Sequence, residues 1–318
     1  MDVGFDRSMK KSLIWSLKAF VSLGILWYLA SDIDWAQVWG LLGKLGWPSL
    51  VLAAGLFLIQ LTFGAVRWSL IAASIGAYLP WRRAFSLQYI GLFFNLVLPG
   101  IVGGDAIRIW QAHKAGMSLG DAFTSVTLER VVTILGVAMM IAFSLPFLFE
   151  RVGDEIVRTV LSLSVLGILA GTGLLVFLDR MPRTIAHWRV VRGLGKLAGD
   201  TRRLFVQPGP LLQVLALAIA TQVALAVATY ILSLDIEAKV TVWDCLIFIP
   251  PVMLVTALPI SIGGWGVREI TMVTTFAYVG VPVELSLAIS VLFGILTLIT
   301  SLPGGIYWLA LKNSRQQV

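Results

Sequence analysis

The hydrophobic pattern of the chain is dominated by apolar runs that are long enough to cross a bilayer. A transmembrane helix needs about 17–25 predominantly apolar residues, and six runs of this kind are separated by more polar segments. They predict six membrane-spanning helices, near residues 13–30, 48–66, 122–149, 159–178, 210–234 and 285–311.

Two further apolar stretches are each interrupted by a similar phrase. The chain reads LPGIVGGDAIR at 98–108 and LPISIGGWGVR at 258–268, with a proline, a glycine pair and an arginine in register. Proline and glycine interrupt helices, and an arginine is costly in hydrocarbon. Such breaks at corresponding places predict a transporter-like pair of interrupted helices. The segments that they join are 85–98 with 105–115, and 242–258 with 265–279.

Composition places the chain among integral membrane proteins. Of its 318 residues, 58% are hydrophobic and 13% are charged, which leaves too little polar surface to cover a soluble globule. The single cysteine, Cys245, excludes an internal disulfide and leaves too few thiols for a typical structural zinc or iron–sulfur site. We therefore expect no metal and no cofactor. The net charge of +7 is distributed as membrane orientation requires, so no nucleic-acid partner is expected.

The basic residues favour re-entrant hairpins at the two breaks. If each broken pair crossed as one helix, the basic loop 179–209 would lie opposite the N-terminus, against the positive-inside rule. Two hairpins place both termini and this loop in the cytoplasm, and the hairpins then enter from opposite faces. The predicted fold is an all-α integral membrane protein with about six full transmembrane helices plus two oppositely oriented re-entrant helical hairpins in an inverted repeat.

The predicted organisation is a single polytopic membrane domain over residues 1–318 in a bacterial-type inner membrane. Its first repeat half covers about 48–150 and its second about 210–311. The amphipathic loop 179–209 either lies on the anionic inner leaflet or is a solvated loop that sets orientation. Small residues at every fourth position favour packing within a monomer over a homodimer. They are Gly167 and Gly171, and Ala220, Ala224 and Ala228.

Charged residues beside the two breaks are the candidate ligand-binding groups. A helix that begins at a glycine pair presents unpaired N–H groups, and an arginine beside them completes an anion site suited to a phosphate headgroup. Adjacent Glu129 and Arg130 point about a hundred degrees apart on a helix, so each needs another partner. Arg130 is expected to face Asp105, with snorkelling to the membrane interface as the alternative. Asn95 is expected to donate to carbonyls freed by the break. The candidate set is Asn95, Gly103, Gly104, Asp105, Arg108, Glu129, Arg130, Gly263, Gly264, Arg268 and Glu269.

A structural interpretation of the same residues stays open. In it the glycines only allow close packing, and the arginines pair with Asp105, Glu269 or nearby carbonyls. Arg67 and Trp68, at the inner end of the second predicted span, are interpreted as interfacial anchors, with a contact between Arg67 and a phosphate as the alternative.

The motifs resemble the flippase-like membrane domain of lysylphosphatidylglycerol synthases. The resemblance covers nearly the whole chain and implies translocation of a lipid with a charged or bulky headgroup between leaflets. It rests on YIGLFFN at 89–95, GGDAIR at 103–108, SVTLER at 125–130 and LPISIGGWGVRE at 258–269.

Two departures from the family pattern limit what the resemblance implies. The synthases carry a soluble aminoacyl-transferase domain after the membrane region, whereas this sequence stops at Val318, so we expect a translocator without synthase activity. Family members commonly keep an arginine in the final span where this chain has Gly294. The resemblance then implies that the second half binds its ligand less tightly or only closes the path.

Two other classes of function remain as alternatives. One is a non-catalytic membrane partner of a lipid- or glycan-synthesising enzyme. The other, less favoured, is a membrane-embedded transferase that uses Asp105 and Glu129. The sequence carries no P-loop, no Rossmann glycine fingerprint, no nucleophile elbow and no zinc-protease motif. The expected partners are therefore a membrane lipid and, in the first alternative, a lipid-synthesising enzyme.

Overall fold

Every regular element that the computed structural model describes is a helix. The described residues are 35–97, 102–178, 189–258, 260–261 and 263–314. Over these ranges run eleven helices: α1 (Trp35–Leu42), α2 (Trp47–Ser74), α3 (Trp81–Val97), α4 (Val102–Lys114), α5 (Leu119–Arg151), α6 (Glu155–Phe177), α7 (Arg189–Val206), α8 (Pro208–Leu234), α9 (Val242–Thr256), α10 (Val267–Ala277) and α11 (Val283–Ser314).

Five of these helices are long and apolar enough to cross a membrane. They are α2, α5, α6, α8 and α11, and they coincide with five of the six predicted spans. The remaining prediction, at 13–30, lies outside the described residues. Local sequence fixes where several of these helices begin: Pro48 and Pro208 lie in the first turns of α2 and α8, and the Asp154 carboxylate accepts from the first N–H groups of α6. The chain is a multi-pass membrane protein whose described part is all-helical.

The two breaks fall between short helices that pack against each other in pairs. Helices α3 and α4 flank the first break, and α9 and α10 flank the second. The prolines of both breaks, at 99 and 259, lie outside the described residues. In the second break Gly263, Gly264 and Gly266 have φ angles of +59°, +83° and +84°. Only glycine adopts this region without strain, so these residues allow the turn from α9 into α10.

The helix contacts repeat when the two halves of the chain are exchanged. Helix α2 packs against α8 along the most extensive interface of the described residues. Helix α11 packs on α3, just as α5 packs on α9, and α4 packs on α5 as α10 packs on α11. Exchanging α2–α5 with α8–α11 converts each contact into its counterpart. The hydrophobic core cluster with the most buried residues among those described contains side chains from both predicted repeat halves, whereas a smaller cluster lies within the first half.

The loop predicted at 179–209 contains a helix that packs on the protein. Helix α7 contacts α5, α6 and α8, and it buries Leu197, Ala198 and Leu204. Lys196 Nζ lies 2.5 Å from Asp121 Oδ1 at the start of α5. Neither a solvated loop nor a helix that only lies on lipid describes residues 194–206, because the apolar face of an amphipathic helix covers the bundle instead.

The small residues behave differently on the two helices where they were noted. On α8 the predicted close packing is present, since Ala224 and Ala228 are buried. On α6 the described residues show no such packing, because β-carbons added at Gly167 and Gly171 would meet no described atom within 4 Å. The physical reason is position: α6 packs chiefly on α5 and α7 and exposes most of its surface.

Candidate functional site

Charged side chains from α2, α4 and α5 meet inside the helix bundle. We call Arg67, Asp105, Arg108, Glu129 and Arg130 the first charge cluster. The Glu129 carboxylate lies between two arginines: its Oε1 is 2.5 Å from Arg67 Nη2, and its Oε2 is 3.2 Å from Arg108 Nη1. Arg67 also donates to Thr133 Oγ1 at 2.8 Å. Glu129, Arg67 and Arg108 are each only 2% exposed.

Asp105 connects Arg108 with Arg130, the third arginine of the cluster. Arg130 donates from Nε to Asp105 Oδ2 at 2.7 Å and from Nη2 to Oδ1 at 3.1 Å. Arg108 Nη1 donates to the same Oδ1 at 3.1 Å. The expected contact between Arg130 and Asp105 is thus present. So are the ion pairs of the structural interpretation, which means that pairing by itself does not distinguish the two interpretations.

The first charge cluster has an excess of positive charge and of hydrogen-bond donors. Three guanidinium groups face two carboxylates, so its net charge is +1. Four buried nitrogen atoms have no hydrogen-bond partner among the described residues: Nε and Nη1 of Arg67, and Nε and Nη2 of Arg108. An unsatisfied buried donor costs about 1–3 kcal/mol. A bound anion would supply both the missing charge and the missing acceptors.

Arg67 and Trp68 are core residues, and their interpretation as interfacial anchors is wrong. The Trp68 side chain is fully buried, and its indole Nε1 donates to Ser125 Oγ at 3.1 Å. Its ring lies 4.2 Å from Arg108 Cζ, close enough for a cation–π contact. The span was predicted to end at residue 66, but α2 continues to Ser74 and places both residues inside the bundle. The signal that was available is that Glu129 needs a basic partner other than Arg130.

The start of α4 is held by Asn95 and is less open to a ligand than expected. Gly104 N–H donates to Asn95 Oδ1 at 3.0 Å, so Asn95 accepts a hydrogen bond here, whereas the expectation named it as a donor; the carbonyls of residues 98–101 lie outside the described residues. A β-carbon at Gly104 would lie 2.1 Å from the Gly91 carbonyl oxygen. Gly104 therefore allows α3 and α4 to approach closely, and its N–H is already used. Gly103, in the same turn, is half-buried.

The second half carries a smaller charged group, which we call the second charge cluster: Arg268, Glu269 and Ser290. Arg268 Nη2 lies 2.5 Å from Glu269 Oε1, and its Nε donates to Ser290 Oγ at 3.2 Å. Glu269 Oε2 accepts from the Gly266 N–H at 2.6 Å. One guanidinium and one carboxylate give this cluster a net charge of zero. The start of α10, like that of α4, is thus capped by a side chain.

Gly294 provides the space for the Arg268 side chain. A β-carbon at Gly294 would lie 2.3 Å from Arg268 Nη2 and 2.8 Å from the Trp265 ring. The Arg268 guanidinium carbon also lies 4.8 Å from the centre of that ring. The glycine that departs from the family pattern therefore has a packing role: it removes the side chain that would displace Arg268.

The two breaks lie next to each other. A β-carbon at Gly263 would lie 3.3 Å from Leu96 Cδ2 and 3.8 Å from Leu96 Cα. Leu96 is in the last turn of α3, directly before the first break, whereas Gly263 belongs to the second. A β-carbon at Gly264 would lie 3.8 Å from Thr256 Cβ, which belongs to the same side of the second break as α9. In the part of the chain that the structure describes, no three metal-ligating side chains are grouped to hold a metal ion.

These features define a polytopic helical membrane protein that keeps charged groups inside its helix bundle. The family model of the lysylphosphatidylglycerol synthase TM region matches residues 15–305, so the chain belongs to this family. The resemblance predicted from the motifs is thereby confirmed. The chain is also similar to a UPF0104 membrane protein of Pyrococcus horikoshii. The two are 23% identical over an alignment of 335 residues, gaps included, which covers 96% of this chain and 98% of that protein.

Proposed function

We propose that this protein is a lipid translocator, which moves a lipid with a phosphate-containing headgroup between the leaflets. The observation that carries the proposal is the buried positive charge of the first charge cluster, with four unsatisfied nitrogen atoms on Arg67 and Arg108. A phosphodiester has one negative charge and several acceptor oxygens, and the guanidinium fork suits its geometry. The family, named for a lipid-modifying synthase, supports a lipid as the substrate.

The burial of the cluster supports this function. Glu129 lies ten residues into α5, which is about 15 Å along the helix axis. Helix α5 has 33 residues and is longer than the hydrocarbon core, which is about 30 Å thick, so the cluster lies in the half of the bilayer in which α5 begins. A charged side chain costs about 2.5–3.5 kcal/mol at the bilayer centre and less towards the interface. An excess of one positive charge there is explained if the protein receives an anion at that place.

The lengths of the short helices support re-entrant hairpins. Helices α4, α9 and α10 contain 13, 15 and 11 residues, fewer than the about 17–25 of an ordinary span, and α3, with 17, is at its lower limit. The exchangeable helix contacts and the contact between Leu96 and Gly263 agree with an inverted repeat whose two hairpin tips meet. Charge bias then assigns α7 and both termini to the cytoplasm.

In the proposed mechanism, the headgroup passes beside the hairpin tips while the acyl chains stay in the lipid. The phosphate binds the unsatisfied edges of Arg67 and Arg108 and neutralises the cluster. The carboxylates of Asp105 and Glu129 keep the arginines oriented when no headgroup is bound. Transfer follows the lipid gradient, the membrane potential or an ion gradient, and it requires no catalytic step.

Replacing Arg108 by glutamine tests the proposal. The protein is reconstituted into vesicles with a fluorescent phospholipid, and a membrane-impermeant quencher reports which leaflet the lipid occupies. Arg108→Gln leaves Glu129 paired with Arg67 and Asp105 paired with Arg130, so folding is expected to persist and transfer to be lost. Arg82→Gln, at an exposed arginine of α3, is the control and should transfer lipid normally. Normal transfer by a well-folded Arg108→Gln protein would refute the proposal.

A further inference from the structure

A large groove lies on the side of the bundle, between α5, α8 and α9. Its volume is about 850 Å³, within the usual range for ligand sites. Side chains of α5 at helical spacing form one wall, and side chains of α9 form the other. The floor is formed by Ile219 and Val223 of α8. The wall residues are Met139, Met140, Phe143, Ser144 and Phe147 on α5, and Trp243, Leu246 and Ile247 on α9.

The groove is apolar along most of its length and accessible from the side. Phe143 is 71% exposed and Trp243 is 61% exposed, so both walls reach the surface of the bundle. Methionine and aromatic side chains adapt to flexible apolar ligands. A groove of this kind that opens laterally in a membrane protein suits a hydrocarbon chain, because the chain enters from the bilayer without crossing water.

The groove is polar at one end, where α5 ends and α9 begins. Arg151 forms an ion pair with Asp244, and the Arg151 side chain is 45% exposed. The Asp244 carboxylate also accepts from the backbone N–H and hydroxyl of Thr241, at 2.9 and 2.6 Å. Glu150 completes the rim and is exposed. One guanidinium and two carboxylates give this end a net charge of −1, which favours a headgroup with an ammonium beside its phosphate.

The equivalent junction in the other half of the chain is closed. Exchange of the halves relates the contact between α5 and α9 to the contact between α11 and α3. There a β-carbon at Gly304 would lie 2.3 Å from the Tyr89 carbonyl oxygen, and one at Gly305 would lie 2.8 Å from the Phe93 ring. The rings of Phe94 and Trp308 are 5.2 Å apart at the same junction. The structure therefore has one open and one closed lateral junction.

We propose that the groove is a binding site for a zwitterionic, amine-bearing phospholipid. One acyl chain lies between α5 and α9, the phosphate contacts Arg151 and the ammonium contacts Glu150. The groove would also be the lateral path by which lipid reaches the first charge cluster, and this second part of the inference rests on the proposed function. Binding in the groove and transfer between leaflets are measured separately, so that each can fail alone.

Photo-crosslinking tests the binding site directly. The full chain is reconstituted with phosphatidylethanolamine or phosphatidylglycerol that carries a diazirine on one acyl chain, and adducts are mapped by mass spectrometry. We expect adducts of the amine-bearing lipid on residues 139–147 and 243–247, in clear excess over exposed residues of α6. Glu150→Gln should reduce the preference for phosphatidylethanolamine by about threefold, as for an exposed ion pair. Equal labelling of the groove and α6, or no preference between the two lipids, overturns the proposal.

Filling the groove separates binding from transfer. Val223→Trp places a large ring on the groove floor and should abolish the groove adducts and slow transfer, whereas Leu169→Trp, at an exposed position of α6, should change neither. Ile219→Phe serves the same purpose if the tryptophan variant does not fold. If the groove adducts are lost but transfer is normal, the groove is not on the transport path, and the proposal that lipid reaches the first charge cluster through it is overturned. Adducts without any transfer by the unmodified protein would refute the proposed function but keep the binding site.

Discussion

The first and second charge clusters occupy corresponding places beside the two breaks, but their charges are balanced differently. Arg268 has one carboxylate partner, and both oxygens of Glu269 accept hydrogen bonds. Arg67 and Arg108 share the Glu129 carboxylate and keep four unsatisfied buried nitrogen atoms. A neutral, satisfied pair fixes the geometry of the helix that carries it. In the proposed function, a cluster with surplus charge and donors receives a ligand. The charge balance around a buried arginine thus indicates its role better than the presence of the arginine does.

The largest expected effect is on the folding of the second half. Arg268→Gln leaves the fully buried Glu269 carboxylate without its cation. Breaking a buried ion pair in this way costs about 3–5 kcal/mol. We therefore expect a strong loss of stability, measured by denaturant-induced unfolding in mixed micelles. A stable Arg268→Gln protein would show that the second charge cluster is not a structural pair and would remove the contrast between the clusters.

Arg67→Gln is the matched change in the first charge cluster, and we expect it to reduce lipid transfer more than stability. It brings the net charge from +1 to zero, and Glu129 keeps Arg108 at 3.2 Å, so the loss of stability should be smaller than in Arg268→Gln. Lipid transfer should fall about a hundredfold, because a buried charge is worth about 2.5–3.5 kcal/mol and each 1.4 kcal/mol is tenfold in rate. Transfer is measured in vesicles and stability in micelles. Equal loss of stability in Arg67→Gln and Arg268→Gln would contradict the comparison.

The long helices were predictable from sequence, since a run of 17 or more apolar residues has few other interpretations. The ends of the runs were less informative. Helix α2 extends eight residues beyond its predicted end at 66, because hydrophobicity ends before the hydrogen-bonded helix does. This difference moved Arg67 from the predicted interface to the core. Helices α1 and α7 were missed, since α1 has only eight residues and the apolar residues of α7 are separated by charged residues and glycines, so that no long apolar run marks either helix.

The charged contacts were predictable in part. The geometry of adjacent residues on a helix correctly required separate partners for Glu129 and Arg130. The same rule fails for Arg268 and Glu269, which pair in the first turn of α10, where the glutamate turns back to accept the Gly266 N–H. The close approach of Arg268 to Gly294 depends on tertiary packing. No single-sequence pattern carries that information.

Gly294→Ala tests whether the second charge cluster is as tightly packed as its contacts indicate. The added β-carbon would lie 2.3 Å from Arg268 Nη2, so the arginine or α11 must shift. Overpacking of this kind costs about 1–3 kcal/mol. Gly167→Ala, on α6, is the control: it meets open space and should stabilise the helix by up to about 1 kcal/mol. If the two substitutions have the same effect on unfolding, the assigned role of Gly294 is wrong.

The smallest change compares one hydroxyl in each cluster. Ser290 Oγ accepts from Arg268 Nε and donates to Glu269 Oε1, both at 3.2 Å, whereas Thr133 Oγ1 accepts from Arg67 Nη2 at 2.8 Å. Removing either should cost about 1–2 kcal/mol of stability. Only Thr133→Val should also change the lipid concentration needed for half-maximal transfer, because Arg67 is proposed to bind the headgroup and Arg268 is not. If Ser290→Ala changes that concentration as much as Thr133→Val does, both clusters bind lipid, and the difference in charge does not separate their roles.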